Sequence, residues 1–176
     1  FDVIRKTIGS IRLGDIVHVS YPPHSRTPFV IVPIIDLAVT NDATVLFISF
    51  TYAPDELREL FLGVFRDYFG LEPEITNRLL DKYFYLVSYN PAAYSLIHLN
   101  SLLIELIEDI DPDIVVLHGI EVFSAIVGDP RMYWVMMKNL LTWLKNNGKL
   151  ALLYSARVDP RWTKLLDSQS DGVARV

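Results

Sequence analysis

An α/β fold with a mostly parallel central sheet and helices on both faces is what this sequence predicts, and three observations carry the prediction. Short β-branched runs alternate with longer amphipathic stretches along nearly the whole chain, the pattern of strands buried on both faces and joined by crossover helices. The 176 residues are 51% hydrophobic and only 21% charged, more apolar surface than a one-sided sheet can hide. No repeat, low-complexity tract or Pro/Gly/Ser-rich linker divides the chain, so residues 1–176 read as a single domain.

The elements follow in order. Strands are predicted over Ile16 to Tyr21, Thr44 to Phe50, Tyr83 to Ser88, Ile114 to His118, Leu150 to Ser155 and Gly172 to Val176. Between them, Thr27 followed by Pro28 is a helix cap with proline in the first turn, and Ala53-Pro54-Asp55-Glu56 opens another helix with acids at its positive pole. Leu96, Leu99, Leu103, Ile107 and Ile110 form one buried helical stripe, with Glu105, Glu108 and Asp109 off it. A helix from about Arg131 ends at Asn146-Asn147-Gly148, a left-handed cap that hands the chain to the fifth strand.

Charge and composition narrow the function classes. A net charge of −5 argues against neutralising phosphates along a nucleic-acid track. The longest apolar run, Phe29 to Ile35, stops at Asp36 and is far short of the roughly 20 residues that span a bilayer, so no membrane role is predicted. With no cysteine the chain has no disulfide, thiolate nucleophile or thiolate metal site, and a cytoplasmic setting is expected.

The first predicted strand delivers the loop Tyr21-Pro22-Pro23-His24-Ser25-Arg26-Thr27-Pro28 to a helix N-terminus, the place where phosphate-binding loops sit. Framing it are Gly14-Asp15-Ile16-Val17-His18-Val19-Ser20, Phe50-Thr51-Tyr52-Ala53-Pro54-Asp55-Glu56-Leu57, Leu144-Lys145-Asn146-Asn147-Gly148 and Ser170-Asp171-Gly172-Val173-Ala174-Arg175-Val176. In order and spacing these segments resemble the KaiC/RadA-like branch of the RecA ATPase superfamily over almost the whole chain. The resemblance implies a RecA-like three-layer sandwich of the P-loop NTPase type.

It also implies a lost activity. The family's Walker A loop, G-x-x-x-x-G-K-[ST], uses glycines to aim backbone N–H groups at phosphates and lysine to neutralise them. Here Tyr21, Pro22, Pro23, His24 and Ser25 replace the glycine-rich part, and two prolines remove two donors and fix φ near −65°. Arg26 and Thr27 are the counterparts of the lysine and hydroxyl. At the fourth strand the family's magnesium-holding aspartate is replaced by His118, a poor ligand for a hard cation. After the second strand Thr51 and Tyr52 stand where the family places acids, including the water-activating base. The ten residues Tyr21 to Thr27, Thr51, Tyr52 and His118 therefore outline a vestigial nucleotide or anion cleft, with no catalytic residue.

Other constellations have plainer readings. His24 and His118, with Glu121 and Asp129 in the same region, lack fixed ligand spacing, so no metal and no cofactor is assigned. His18 and His98 fit strand and helix patterns. The aromatic and methionine inventory, from Tyr83, Phe84, Tyr85, Tyr89 and Tyr94 to Met132, Trp134, Met136, Met137 and Trp143, is mostly core but leaves room for an exposed hydrophobic groove. Arg157, Arg161, Trp162 and Lys164 fall where relatives carry a loop facing the ring or filament centre, a candidate contact for a partner or for single-stranded nucleic acid.

The expected function is a pseudo-ATPase: a non-catalytic RecA-like domain that binds a protein or peptide, self-associates, or assembles with an active paralogue. The alternatives are a repurposed cleft for a nucleotide or small anion, and single-stranded nucleic-acid binding. Because the family's nucleotide helps hold protomers together, its loss predicts a monomer or small oligomer.

Overall fold

In a computed structural model that describes residues 10–23 and 28–176, the β-branched runs form six strands of one sheet. These are β1 (Ile16–Tyr21), β2 (Val45–Ser49), β3 (Phe84–Ser88), β4 (Ile114–His118), β5 (Leu150–Ala156) and β6 (Gly172–Arg175). Their order across the sheet is β3-β2-β4-β5-β1-β6, and every neighbouring pair is parallel. The central strands β2, β4 and nearly all of β1 and β5 are buried on both faces, which is why they read as continuous apolar runs rather than as alternation.

Among the described residues seven α-helices cover the two faces: α1 (Pro28–Thr40), α2 (Pro54–Phe69), α3 (Pro73–Tyr83), α4 (Leu96–Ile110), α5 (Val122–Val127), α6 (Pro130–Asn146) and α7 (Pro160–Ser168). On one face α1, α2 and α3 pack on Val17, Val19, Val45, Phe47, Val116 and Leu152. On the other, α4, α5, α6 and α7 pack on the residues of opposite parity, Ile16, Leu46, Ile48, Val115, Leu117 and Leu153. The result is the three-layer RecA-like sandwich that the sequence predicts, with a sheet that is wholly parallel.

Local chemistry sets the helix ends. The Ala53 N–H donates to the Glu56 carboxylate at 3.0 Å, so the predicted start of α2 is capped from within its first turn. Gly70 at φ 62° ends α2, and Pro73 starts α3. Ser95 accepts from the His98 N–H at the head of α4, while Gly148 at φ 66° turns the chain from α6 into β5. Four of the six strands differ from expectation at their ends: β2 is one residue shorter at each end, β6 stops at Arg175, and β3 and β5 each shift by one residue at one end. Tyr83 closes α3 instead of opening β3, its hydroxyl donating to Asp42 at 2.9 Å, and β5 runs one residue further, to Ala156. The predicted Thr27 cap lies outside the described residues.

Candidate functional site

In a parallel sheet the carboxyl ends of the strands and the loops after them are where ligands are held. At that edge the structure brings together four predicted cleft residues: Tyr21 at the end of β1, Thr51 and Tyr52 after β2, and His118 at the end of β4. The β2–β4 register sets Ser49 beside His118. Pro22 and Pro23 follow Tyr21 as exposed loop residues. His24, Ser25, Arg26 and Thr27 lie outside the described residues.

His118 is the centre of this arrangement and is only 3% exposed. Its ring is stacked between Phe47 and Tyr52, with centroids 5.6 Å away on each side and interplanar angles of 29° and 16°. The Ser49 and Thr51 hydroxyls each lie 3.3 Å from Nδ1. Ser49 Oγ in turn accepts from the backbone N–H groups of Thr51 and Tyr52, at 3.3 and 3.1 Å. Burial alone pushes the His118 pKa down to about 4, so the imidazole is neutral at physiological pH.

The turn after His118 depends on glycine. Gly119 has φ 80°, and a Cβ there would meet Thr51 Cγ2 at 2.4 Å. Its N–H donates to the Tyr154 carbonyl at 3.0 Å, locking the β4 end against β5.

Beside this stack Tyr21 meets Tyr154 and Glu121, two residues outside the ten predicted for the cleft, although the sequence places Glu121 in the same region. Burial raises the Tyr21 phenol above its ordinary range, and Glu121, Tyr52 and Tyr154 add to the rise. Tyr154 is wholly buried and its hydroxyl has no hydrogen-bond partner among the described residues. Burial likewise raises the Glu121 carboxyl, opposed by its own backbone N–H and that of Ala156, while Glu121 Oε2 is buried without a partner among the described residues. The only advance signal was position: Glu121 and Tyr154 both fall near strand ends in sequence.

A magnesium–nucleotide group of the family's kind does not fit the described residues. Where a hard cation needs carboxylate oxygen there is a buried neutral imidazole covered by two aromatic rings, and the loop from β1 begins with two residues that lack N–H donors. Among the described residues no group of three or more metal-ligating side chains converges.

The tightest polar cluster lies deeper. His18 Nδ1 is 2.6 Å from Asp167 Oδ1, His18 Nε2 is 2.8 Å from Ser155 Oγ, and Asp167 Oδ2 accepts from Arg175 at 2.8 Å. Burial lowers the His18 pKa more than Asp167 raises it, so the neutral ring donates from Nδ1 to the carboxylate and accepts the Ser155 hydroxyl at Nε2. The order resembles a hydrolytic triad, but both His18 and Ser155 are buried and no substrate reaches them. The cluster ties β1, β5, α7 and β6 together. His18 is therefore structural, as its strand position predicts.

The other candidate contact is only partly presented. Trp162 is buried, with its ring edge-on to Tyr133 at 4.6 Å. Arg161 pairs with Asp159 at 2.7 Å, and Arg157 donates to the Val176 carbonyl at 3.0 Å. Of these four, only Lys164 stands exposed without such a bond among the described residues. The segment forms the cap and first turns of α7, and Trp162 with Leu166 makes a buried i, i+4 pair that accounts for the tryptophan.

Compared with models of known protein families and with curated proteins, the chain has no match to either.

Proposed function

We propose that this chain is a non-catalytic RecA-like domain, a pseudo-ATPase related to the KaiC/RadA-like branch, that works as a protein- or peptide-binding accessory module. One observation carries the reading: His118, at the strand end where the family holds its metal, is neutral and sealed between Phe47 and Tyr52. A strand end packed as aromatic core puts an imidazole where a hard metal ion needs a carboxylate oxygen. Glu121 works against a repurposed anion cleft as well, since its carboxyl borders the same edge as Tyr21. No helix among the described residues is long and apolar enough to cross a membrane.

The test is isothermal titration of ATP with magnesium into the purified chain, at concentrations that detect a Kd of about 1 mM. The expected result is no heat beyond dilution. Saturable binding would overturn the pseudo-ATPase reading and place a working phosphate site in the loop after β1.

A further inference from the structure

The outer layer opposite α1, α2 and α3 carries an open apolar groove between the N-terminal halves of α4 and α6. Both helices follow strands of a parallel sheet and precede the next one, so they run side by side in the same direction. The groove has a volume of about 440 Å³, within the range of ~300–1,000 Å³ usual for binding pockets. Leu96 and Ile97 of α4 and Met132, Val135 and Met136 of α6 line it. Ile97 is 83% exposed, Met132 58% and Val135 51%, apolar side chains standing together in water at a cost of solvation that a partner would remove.

Shape and charge both say what fits. On α6 the lining extends from Arg131 to Asn139, about 12 Å at the helical rise of 1.5 Å per residue. That matches the ~10 Å between anchors at i and i+7 of an amphipathic helix laid along a groove. No acidic residue lines the groove. Arg131 is exposed and forms no ion pair among the described residues. Lys138, one turn beyond Trp134 and outside the groove lining, lies 4.4 Å over that ring and has no acidic partner among the described residues. The helix N-termini add positive potential at the same end. Asn100, in the groove wall, keeps its Oδ1 buried without a hydrogen bond.

We infer that the α4–α6 groove is the docking surface of the module and that its occupant is an amphipathic helix of a partner protein, with apolar anchors at i, i+3 or i+4 and i+7 and acidic residues on its flank. The inference rests on the protein-binding reading above and supplies its surface and the chemistry of its partner. Apolar anchors bury Ile97, Met132 and Val135, while the acidic flank meets Arg131 and Lys138 and sets the direction of docking.

The test uses a fluorescein-labelled synthetic helix of 15 residues with leucine anchors and glutamate flanks, and a second probe with lysine in place of every glutamate. Anisotropy titration of the 176-residue chain is expected to give at least ten-fold tighter binding of the acidic probe, weakening as salt rises. Val135→Asp is expected to abolish binding and Arg131→Glu to reverse the preference between probes. Both sites are exposed, so thermal midpoints should stay with the parent. Equal affinity for the two probes, or full binding by Val135→Asp, overturns the proposal. So does a parent dimer in sedimentation equilibrium that Val135→Asp converts to monomer, because the occupant is then a second copy. Loss of this proposal leaves the pseudo-ATPase reading standing while magnesium–ATP gives no heat; heat in that titration strikes the reading itself.

Discussion

Acidification should destabilise this protein through His118, and the effect can be worked out from its surroundings. In the unfolded chain the imidazole titrates near 6.5, whereas in the folded protein burial holds it at about 4. The folded state therefore binds the proton less well. Stability is complete above 6.5 and falls as pH drops from 6.5 to about 4, where the folded-state ring finally charges. The gap between those values, at ~1.4 kcal/mol for each unit of pH, is worth about 3.5 kcal/mol in full, of which about 3 is lost by pH 4.

Urea unfolding between pH 4 and 8 measures it, with His118→Phe as the reference. Phenylalanine keeps a ring between Phe47 and Tyr52 and removes the titrating nitrogen, at a constant cost for the lost Ser49 and Thr51 contacts. Other groups titrate in the same window. His18, its pKa lowered by burial, also loses stability on acidification, while the raised carboxyl of Glu121 acts in the opposite sense. Both are common to the two proteins and cancel in the difference. The parent should lose about 3 kcal/mol more than His118→Phe on going from pH 8 to pH 4. Parallel curves would refute the claim that a sealed, neutral imidazole occupies the β4 end.

Two further substitutions probe the supports of the fold, beside the nucleotide and peptide titrations described above. Gly119→Ala, at φ 80° and with its new methyl 2.4 Å from Thr51 Cγ2, should cost about 3 kcal/mol in urea unfolding, partly recovered by Thr51→Ser in the same chain. A cost under ~0.5 kcal/mol would mean the turn relaxes freely. Asp167→Ala leaves the buried His18 N–H without its acceptor and should cost about 2 kcal/mol, with Asp167→Asn restoring roughly half by offering a carbonyl oxygen. Equal stability of parent and Asp167→Ala would show that the carboxylate contributes nothing to holding β1 against α7.

Strand positions were legible because burial on both faces demands unbroken apolar runs, and Val45 to Ser49 or Ile114 to His118 can do little else. Helix starts were legible where proline and acids mark them, as at Pro54. The split between α2 and α3 was less so, because Gly70 and Pro73 act only once the residues before them are helical. Side-chain partners at the strand ends depend on register and tertiary packing. His118 sits 67 residues from Thr51, and His18 is 149 from Asp167, separations over which no local pattern operates. Trp162 shows a related limit: basic neighbours suggest a stacking contact, whereas its spacing to Leu166 already placed it in a helix interior.

These two kinds of position separate fold from function in a way that can be measured. At the carboxyl edge of the sheet, Ser49, His118 and Ser155 are polar residues consumed by internal partners, so changing them alters stability first. On the α4–α6 surface, Ile97, Met132 and Val135 are apolar residues left in water, and most of their area contributes nothing to the core. A parallel sandwich ordinarily places both ligand and chemistry at the strand ends. Around His118 that edge is filled by stacked rings, so on the proposed reading the free energy for binding lies on the outer helices, where burial of apolar area is still to be gained. Substitutions at Ile97, Met132 or Val135 should therefore move affinity with little change in folding, and those at His118 or Gly119 should do the reverse.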